Sequence, residues 1–105
     1  MNNSKLVRDL IPKIIKESGK KGNFTRVDRD NAEQREFWLL KKMQEETGEF
    51  SQDPSLEEAA DMYEVFLALV RNAGLTFPNV VQAAADKRLK RGAFDDGYIL
   101  HSVED

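Results

Sequence analysis

The segment from Ala59 to Val70 constrains the fold of this chain most, because ten of its twelve residues are apolar. A helix that is apolar nearly all round is a buried one. The two exceptions in this segment are Asp61 and Glu64. Moving an isolated carboxylate into such surroundings costs several kcal/mol. We therefore expect Asp61 to be protonated, paired with a cation or bound to a metal ion.

Start and stop signals divide the rest of the chain into helices. Pro12 suits a first helical turn, and Gly19 ends the first predicted helix. Residues 19–30 form a polar connection in which residues 24–27 make either a short strand or an extended arm. Asp30 precedes Glu33 by three residues, which is the spacing of a capping box. This predicts a second helix over residues 31–50.

The second half of the chain carries the same kind of signals. Ser55 stands three residues before Glu58 and predicts the start of the third helix, which Gly74 ends. Thr76 with the proline two residues later begins a fourth helix, and Gly92 ends it. We predict an all-α fold, a small four-helix bundle-type subunit with residues 1–105 as a single domain. A lone bundle of this size cannot cover the third helix, so we expect oligomerisation through helices, as a homodimer or homotetramer.

Four acidic residues form two pairs with helical spacing, Glu46 with Glu49 and Glu58 with Asp61. Residues three apart on a helix have Cβ atoms about 5–6 Å apart, so each pair can present two carboxylates to one ion. Glu46 also interrupts the apolar row of Leu39, Met43 and Phe50. Carboxylate oxygens suit Mg²⁺, with Mn²⁺ as an alternative. The competing interpretation is two solvated helix faces in a chain with 19 acidic residues.

Composition excludes several other classes of site. The chain has no cysteine and a single histidine, His101, which rules out thiolate chemistry and a histidine-rich metal centre. The net charge of −3 does not favour a nucleic-acid polymer as partner. There is no apolar run of twenty residues and no apolar leader after Met1, so we expect a cytoplasmic protein without a membrane partner.

An anionic substrate needs cations away from the carboxylates. Lys5 and Arg8 precede a helix, so the helix dipole does not explain them and a phosphate contact does. Three further candidates lie late in the fourth helix, where stabilisation of the helix dipole is an equal alternative: Lys87, Arg88 and Arg91. Phe37 and Trp38 either stack on a base or belong to the core. Glu45 is either a water-orienting base or an exposed residue.

The residues that carry these features resemble a known family. KKMQEETGEF followed by EEAADMYEVFLALV is similar to the EExxE and ExxD signature of the MazG-like, all-α nucleoside triphosphate pyrophosphohydrolase superfamily. KLVRDLIPKII and DKRLKRGAF resemble its phosphoribosyl-ATP pyrophosphohydrolase-like branch. The similarity spans nearly the whole chain.

The resemblance implies a function and residue roles. It implies Mg²⁺-dependent cleavage of the α–β phosphate bond of a nucleoside triphosphate, giving monophosphate and pyrophosphate as a house-cleaning reaction. The implied metal ligands are the four paired acids, and Glu45 joins Glu46 and Glu49 in the catalytic motif. The basic phosphate contacts would be the five cations named above. A biosynthetic role on phosphoribosyl-ATP in histidine biosynthesis remains open, as does a non-catalytic helical module that binds nucleotide or dimerises.

Overall fold

The computed structural model describes residues 4–105, and these form four α-helices and no β-strand. The helices are α1 (Ile11–Glu17), α2 (Ala32–Gln52), α3 (Leu56–Asn72) and α4 (Phe77–Arg91). The predicted all-α class is confirmed. The chain divides into two compact units, of which the first ends at Leu75 and the second is Thr76–Asp105.

The centre of the first unit is a helical hairpin formed by α2 and α3, which pack against each other. The two helices are joined by a connection of only three residues, so the chain reverses direction between them. The small apolar core of the hairpin consists of Leu39 on α2 with Val65 and Val70 on α3. At the open end of the hairpin, the Asn72 side-chain amide donates to the Ala32 carbonyl over 3.0 Å.

Side-chain caps fix where the helices of this hairpin begin. Ser55 Oγ accepts from the Glu58 amide at 3.3 Å, as the sequence predicts. The cap predicted at Asp30 is wrong by one residue, because Asn31 Oδ1 accepts from the Gln34 amide at 3.0 Å. The Asp30 amide instead donates to Asp28 Oδ1 in the preceding turn. Position 58 is therefore held in the first turn of α3, three residues before position 61.

The connection between α1 and α2 contains no strand, so the alternative of a strand over residues 24–27 is wrong. No helix among residues 4–105 combines the length and apolar content needed to cross a bilayer.

The second unit contains α4 and the C-terminal segment. Thr76 Oγ1 accepts from the Asn79 amide at 3.4 Å, and Pro78 lies in the first turn. Gly92 ends the helix with a φ of +82°, a left-handed conformation that glycine adopts without strain. Both ends of α4 therefore lie where the sequence predicts them.

Candidate metal centre

Packing of α2 on α3 brings three of the four paired acids together. Carboxylate oxygens of Glu46, Glu58 and Asp61 all lie within 4.8 Å of one another. Two oxygens bound to one Mg²⁺, each about 2.1 Å from the ion, are at most about 4.2 Å apart. Small side-chain rotations thus suffice to bring the three oxygens into one coordination sphere.

Because they are partly or fully removed from water, these carboxylates are stabilised by a nearby positive charge. Glu46 is only 6% exposed, and it is the buried charged residue of the hairpin. Oε2 of Glu46 and Oε2 of Glu58 are both buried, and neither has a hydrogen-bond partner among residues 4–105. A buried polar atom without a partner costs about 1–3 kcal/mol, and more when the group is charged. The donor set therefore fits a hard divalent cation in its chemistry as well as in its spacing.

The electrostatics of Glu58 show how closely the acids are crowded. Burial is the largest cause that raises the pKa of its carboxyl group. The neighbouring carboxylates of Glu49, Asp61 and Glu46 raise it further, because each disfavours a second negative charge. A bound cation would remove this repulsion.

Glu49, the fourth predicted ligand, occupies a different position. Its side chain is exposed, and it lies close enough to Glu58 to raise the pKa of that residue. It does not belong to the trio of acids within 4.8 Å of one another. The structure thus gathers Glu46, Glu58 and Asp61 at the centre and leaves Glu49 at the rim.

Lys42 is a member of the site that the sequence predictions omitted. Its ammonium lies 2.8 Å from Glu45 Oε2 and 3.4 Å from Glu46 Oε1. The Lys42 side chain is 16% exposed. Burial lowers its pKa, but the hydrogen bonds and charges of the two glutamates outweigh burial and leave the pKa raised. Its spacing of three and four residues from the two glutamates is the sequence signal that predicts these pairs.

Glu45 is also held in an ionised state. The hydrogen bond from Lys42 is the main cause that lowers the pKa of its carboxyl group, against the opposing effect of burial. Lys5 contributes a weaker charge from 3.7 Å away. Glu45 is therefore a charged acceptor beside the acidic trio.

The segment before α1 brings two of the predicted phosphate contacts to the same place. Arg8 Nη2 lies 2.7 Å from Asp61 Oδ1, and Lys5 pairs with Glu45 as described. The remaining three candidates, Lys87, Arg88 and Arg91, are exposed on α4 in the second unit. Two of the five predicted cations are thus placed directly against acids of the site.

Two aromatic residues precede the acids on α2. Phe37 is exposed and Trp38 is half-buried, and their rings meet edge to face with centroids 5.6 Å apart. Neither ring belongs to the buried core of Leu39, Val65 and Val70. His101 is exposed in the C-terminal segment.

No family model matches this chain, and no curated protein or solved structure matches it either.

Proposed function

We propose that this chain is a Mg²⁺-dependent nucleotide pyrophosphohydrolase, which cleaves the α–β phosphate bond of a nucleoside triphosphate to monophosphate and pyrophosphate. The observation that carries the proposal is the trio of Glu46, Glu58 and Asp61, with two buried carboxylate oxygens that lack a hydrogen-bond partner within the described part of the chain. The resemblance to the MazG-like superfamily supports the same reaction. Phosphoribosyl-ATP is the alternative substrate, since its hydrolysis uses the same chemistry.

Three acids would hold the ion, with Glu49 at the rim as a further ligand. When bound, Mg²⁺ would neutralise the acids, polarise a phosphoryl oxygen and lower the pKa of a water ligand. Glu45 stays ionised and accepts hydrogen bonds. Because its pKa is lowered, it is a weak base, and its proposed role is to orient the attacking water rather than to remove a proton completely.

Arg8 has two proposed roles that alternate. In the structure its guanidinium neutralises Asp61 at 2.7 Å. If Asp61 were a metal ligand, the planar guanidinium of Arg8 could instead bind a phosphate with two parallel hydrogen bonds. Lys5 lies on the same segment and would contact the phosphates too. Lys87, Arg88 and Arg91 on α4 stay predicted phosphate contacts, for which the resemblance is the support.

A homodimer or homotetramer is proposed as the active form. Among the described residues, the buried apolar side chains are only Leu39, Val65 and Val70. On α3, Phe66 is 38% exposed and Tyr63 is 49% exposed. Large apolar side chains exposed together on a helix are typical of an interaction surface. A second copy would cover α3 and complete a helical bundle.

Replacing Phe66 with lysine should therefore weaken self-association. A charge at this position would have to be desolvated in the interface, which costs several kcal/mol. Light scattering at micromolar concentration measures the effect, and we expect the oligomer to dissociate at concentrations where the wild type remains associated. Asn23→Lys adds the same charge at an exposed position outside the helices and should leave the mass unchanged. A wild-type protein that is monomeric with full specific activity would contradict the proposed assembly.

A substrate screen tests the reaction itself. The four common ribonucleoside triphosphates, their deoxy forms and phosphoribosyl-ATP are each incubated with and without Mg²⁺, and pyrophosphate release is measured. We expect pyrophosphate and the monophosphate from at least one of them, only when the metal is present. Nucleoside diphosphate with orthophosphate as products would contradict cleavage at the α–β bond. Turnover restricted to phosphoribosyl-ATP would favour the biosynthetic alternative.

A further inference from the structure

A cleft separates the segment before α1 from the exposed side of α2. Its volume is about 410 Å³, within the roughly 300–1,000 Å³ of small-molecule sites. Residues 4–6 form one wall, and Trp38, Lys41, Lys42 and Glu45 form the other. The acidic trio does not line this cleft.

The charge of the cleft is opposite to that of the acidic trio. Lys5, Lys41 and Lys42 line it, against the single carboxylate of Glu45. The trio consists of carboxylates alone. An anion is therefore attracted to the cleft and a cation to the trio. Lys42 connects the two places, because it lines the cleft and lies 3.4 Å from Glu46.

Three side chains meet at the aromatic end of the cleft. Phe37 meets the Trp38 ring edge to face, and the Lys41 ammonium lies over the Trp38 ring, 5.1 Å from its centroid. A base stacked on this face of Trp38 would take the place of the ammonium, which could then contact the phosphates. Trp38, Lys42 and Glu46 follow one another at intervals of four residues, so they lie along one side of α2. Eight residues of helix correspond to about 12 Å. A ring stacked on Trp38 thus lies two helical turns from the acid that would hold metal.

We infer that this cleft binds the nucleobase of the substrate on Trp38 and its phosphates on Lys41 and Lys5, with the scissile bond directed toward Glu46. The inference rests on the proposed function, and it assigns the orientation of the nucleotide. It also assigns to Trp38 and Lys41 a role in affinity rather than in bond cleavage.

Trp38 is the only tryptophan in the chain, so its fluorescence reports on the cleft directly. The probes are the α,β-methylene analogues of ATP, GTP, CTP and UTP, which cannot be cleaved at the α–β bond, and inorganic tripolyphosphate. With Mg²⁺ present, we expect saturable quenching by at least one analogue. Tripolyphosphate should bind at least about fivefold more weakly, because it lacks a base to stack.

Two variants test the contribution of the Trp38 ring to binding separately from that of the Lys41 charge. Trp38→Leu should weaken binding of the best analogue at least about fivefold by calorimetry, the effect of losing one base–aromatic stack. Lys41→Gln should weaken the analogue and tripolyphosphate alike. Lys13→Gln is the matched control, since Lys13 lies on α1 and pairs with Glu17, and it should leave both affinities unchanged.

The outcomes distinguish a failure of the proposed base site from a failure of the proposed enzymatic function. A protein that releases pyrophosphate while Trp38 fluorescence and the affinity of Trp38→Leu do not change would overturn the cleft as the base site and leave the reaction intact. Saturable quenching by an analogue without hydrolysis of any triphosphate would support the cleft and contradict the enzyme. Equal affinity for tripolyphosphate and the best analogue would show that the base does not bind in the cleft.

Discussion

Pyrophosphate release should fall by more than about 100-fold when Asp61 is replaced with asparagine, measured at saturating Mg²⁺. Loss of groups that only support metal ligands typically costs about 10–100-fold, and the loss of a ligand should exceed this. Asp61 contributes one of the three clustered carboxylates, and it is also the partner that positions Arg8. Helical content by circular dichroism should be retained, because Asp61 is not part of the apolar core.

Glu36→Gln is the matched control for this substitution. Glu36 is an exposed acid on α2, outside the trio, and its removal changes the net charge by the same amount. We expect near-normal turnover from this variant. Near-normal turnover from Asp61→Asn as well would show that the metal ligands are assigned incorrectly.

Lys42→Met should lower the free energy of unfolding of the metal-free protein by about 2 kcal/mol, the scale of losing a charged hydrogen bond in a mostly buried pair. The substitution keeps an apolar stem of similar length but leaves the Glu46 carboxylate buried without its cation. Urea unfolding in the presence of a chelator measures the change. Addition of Mn²⁺ should recover part of the lost stability, because the ion supplies positive charge to the same carboxylate.

A double-mutant cycle isolates the interaction energy between Lys42 and Glu46. In the Glu46→Gln background, Lys42→Met should cost less, because it then removes only the hydrogen bond to the more exposed Glu45 and leaves no buried Glu46 charge without its cation. Lys13→Met removes an exposed cation that pairs with Glu17 on α1, and it should change stability by no more than about 0.5 kcal/mol. An equal cost of Lys42→Met in both backgrounds would show that the Lys42–Glu46 pair does not stabilise the hairpin.

Local signals in the sequence predict the helices well. Ser55 and Thr76 cap α3 and α4 because their hydroxyl groups satisfy first-turn amides, and Gly92 ends α4 because it adopts a positive φ. The apolar spacing around Glu46 also predicts its burial correctly. Each of these features depends on residues within one or two helical turns.

Features that depend on distant segments are harder to predict. The Arg8–Asp61 pair joins residues 53 positions apart, so no local spacing indicates that Arg8 pairs with this acid. The apolar content of α3 does not show which of its faces α2 covers, and Phe66 remains exposed in the described chain. Glu49 has the spacing of a metal ligand, but its place at the rim follows from how α2 and α3 pack.

Binding of Mn²⁺ tests most directly whether Glu46, Glu58 and Asp61 form a divalent-cation site. Electron paramagnetic resonance counts the free ion during a titration of the wild type and of Glu46→Gln, independently of any substrate. We predict that the wild type binds Mn²⁺, that Mg²⁺ displaces it, and that Glu46→Gln weakens binding at least about tenfold. Equal binding by the two proteins, or none by the wild type, would contradict the site.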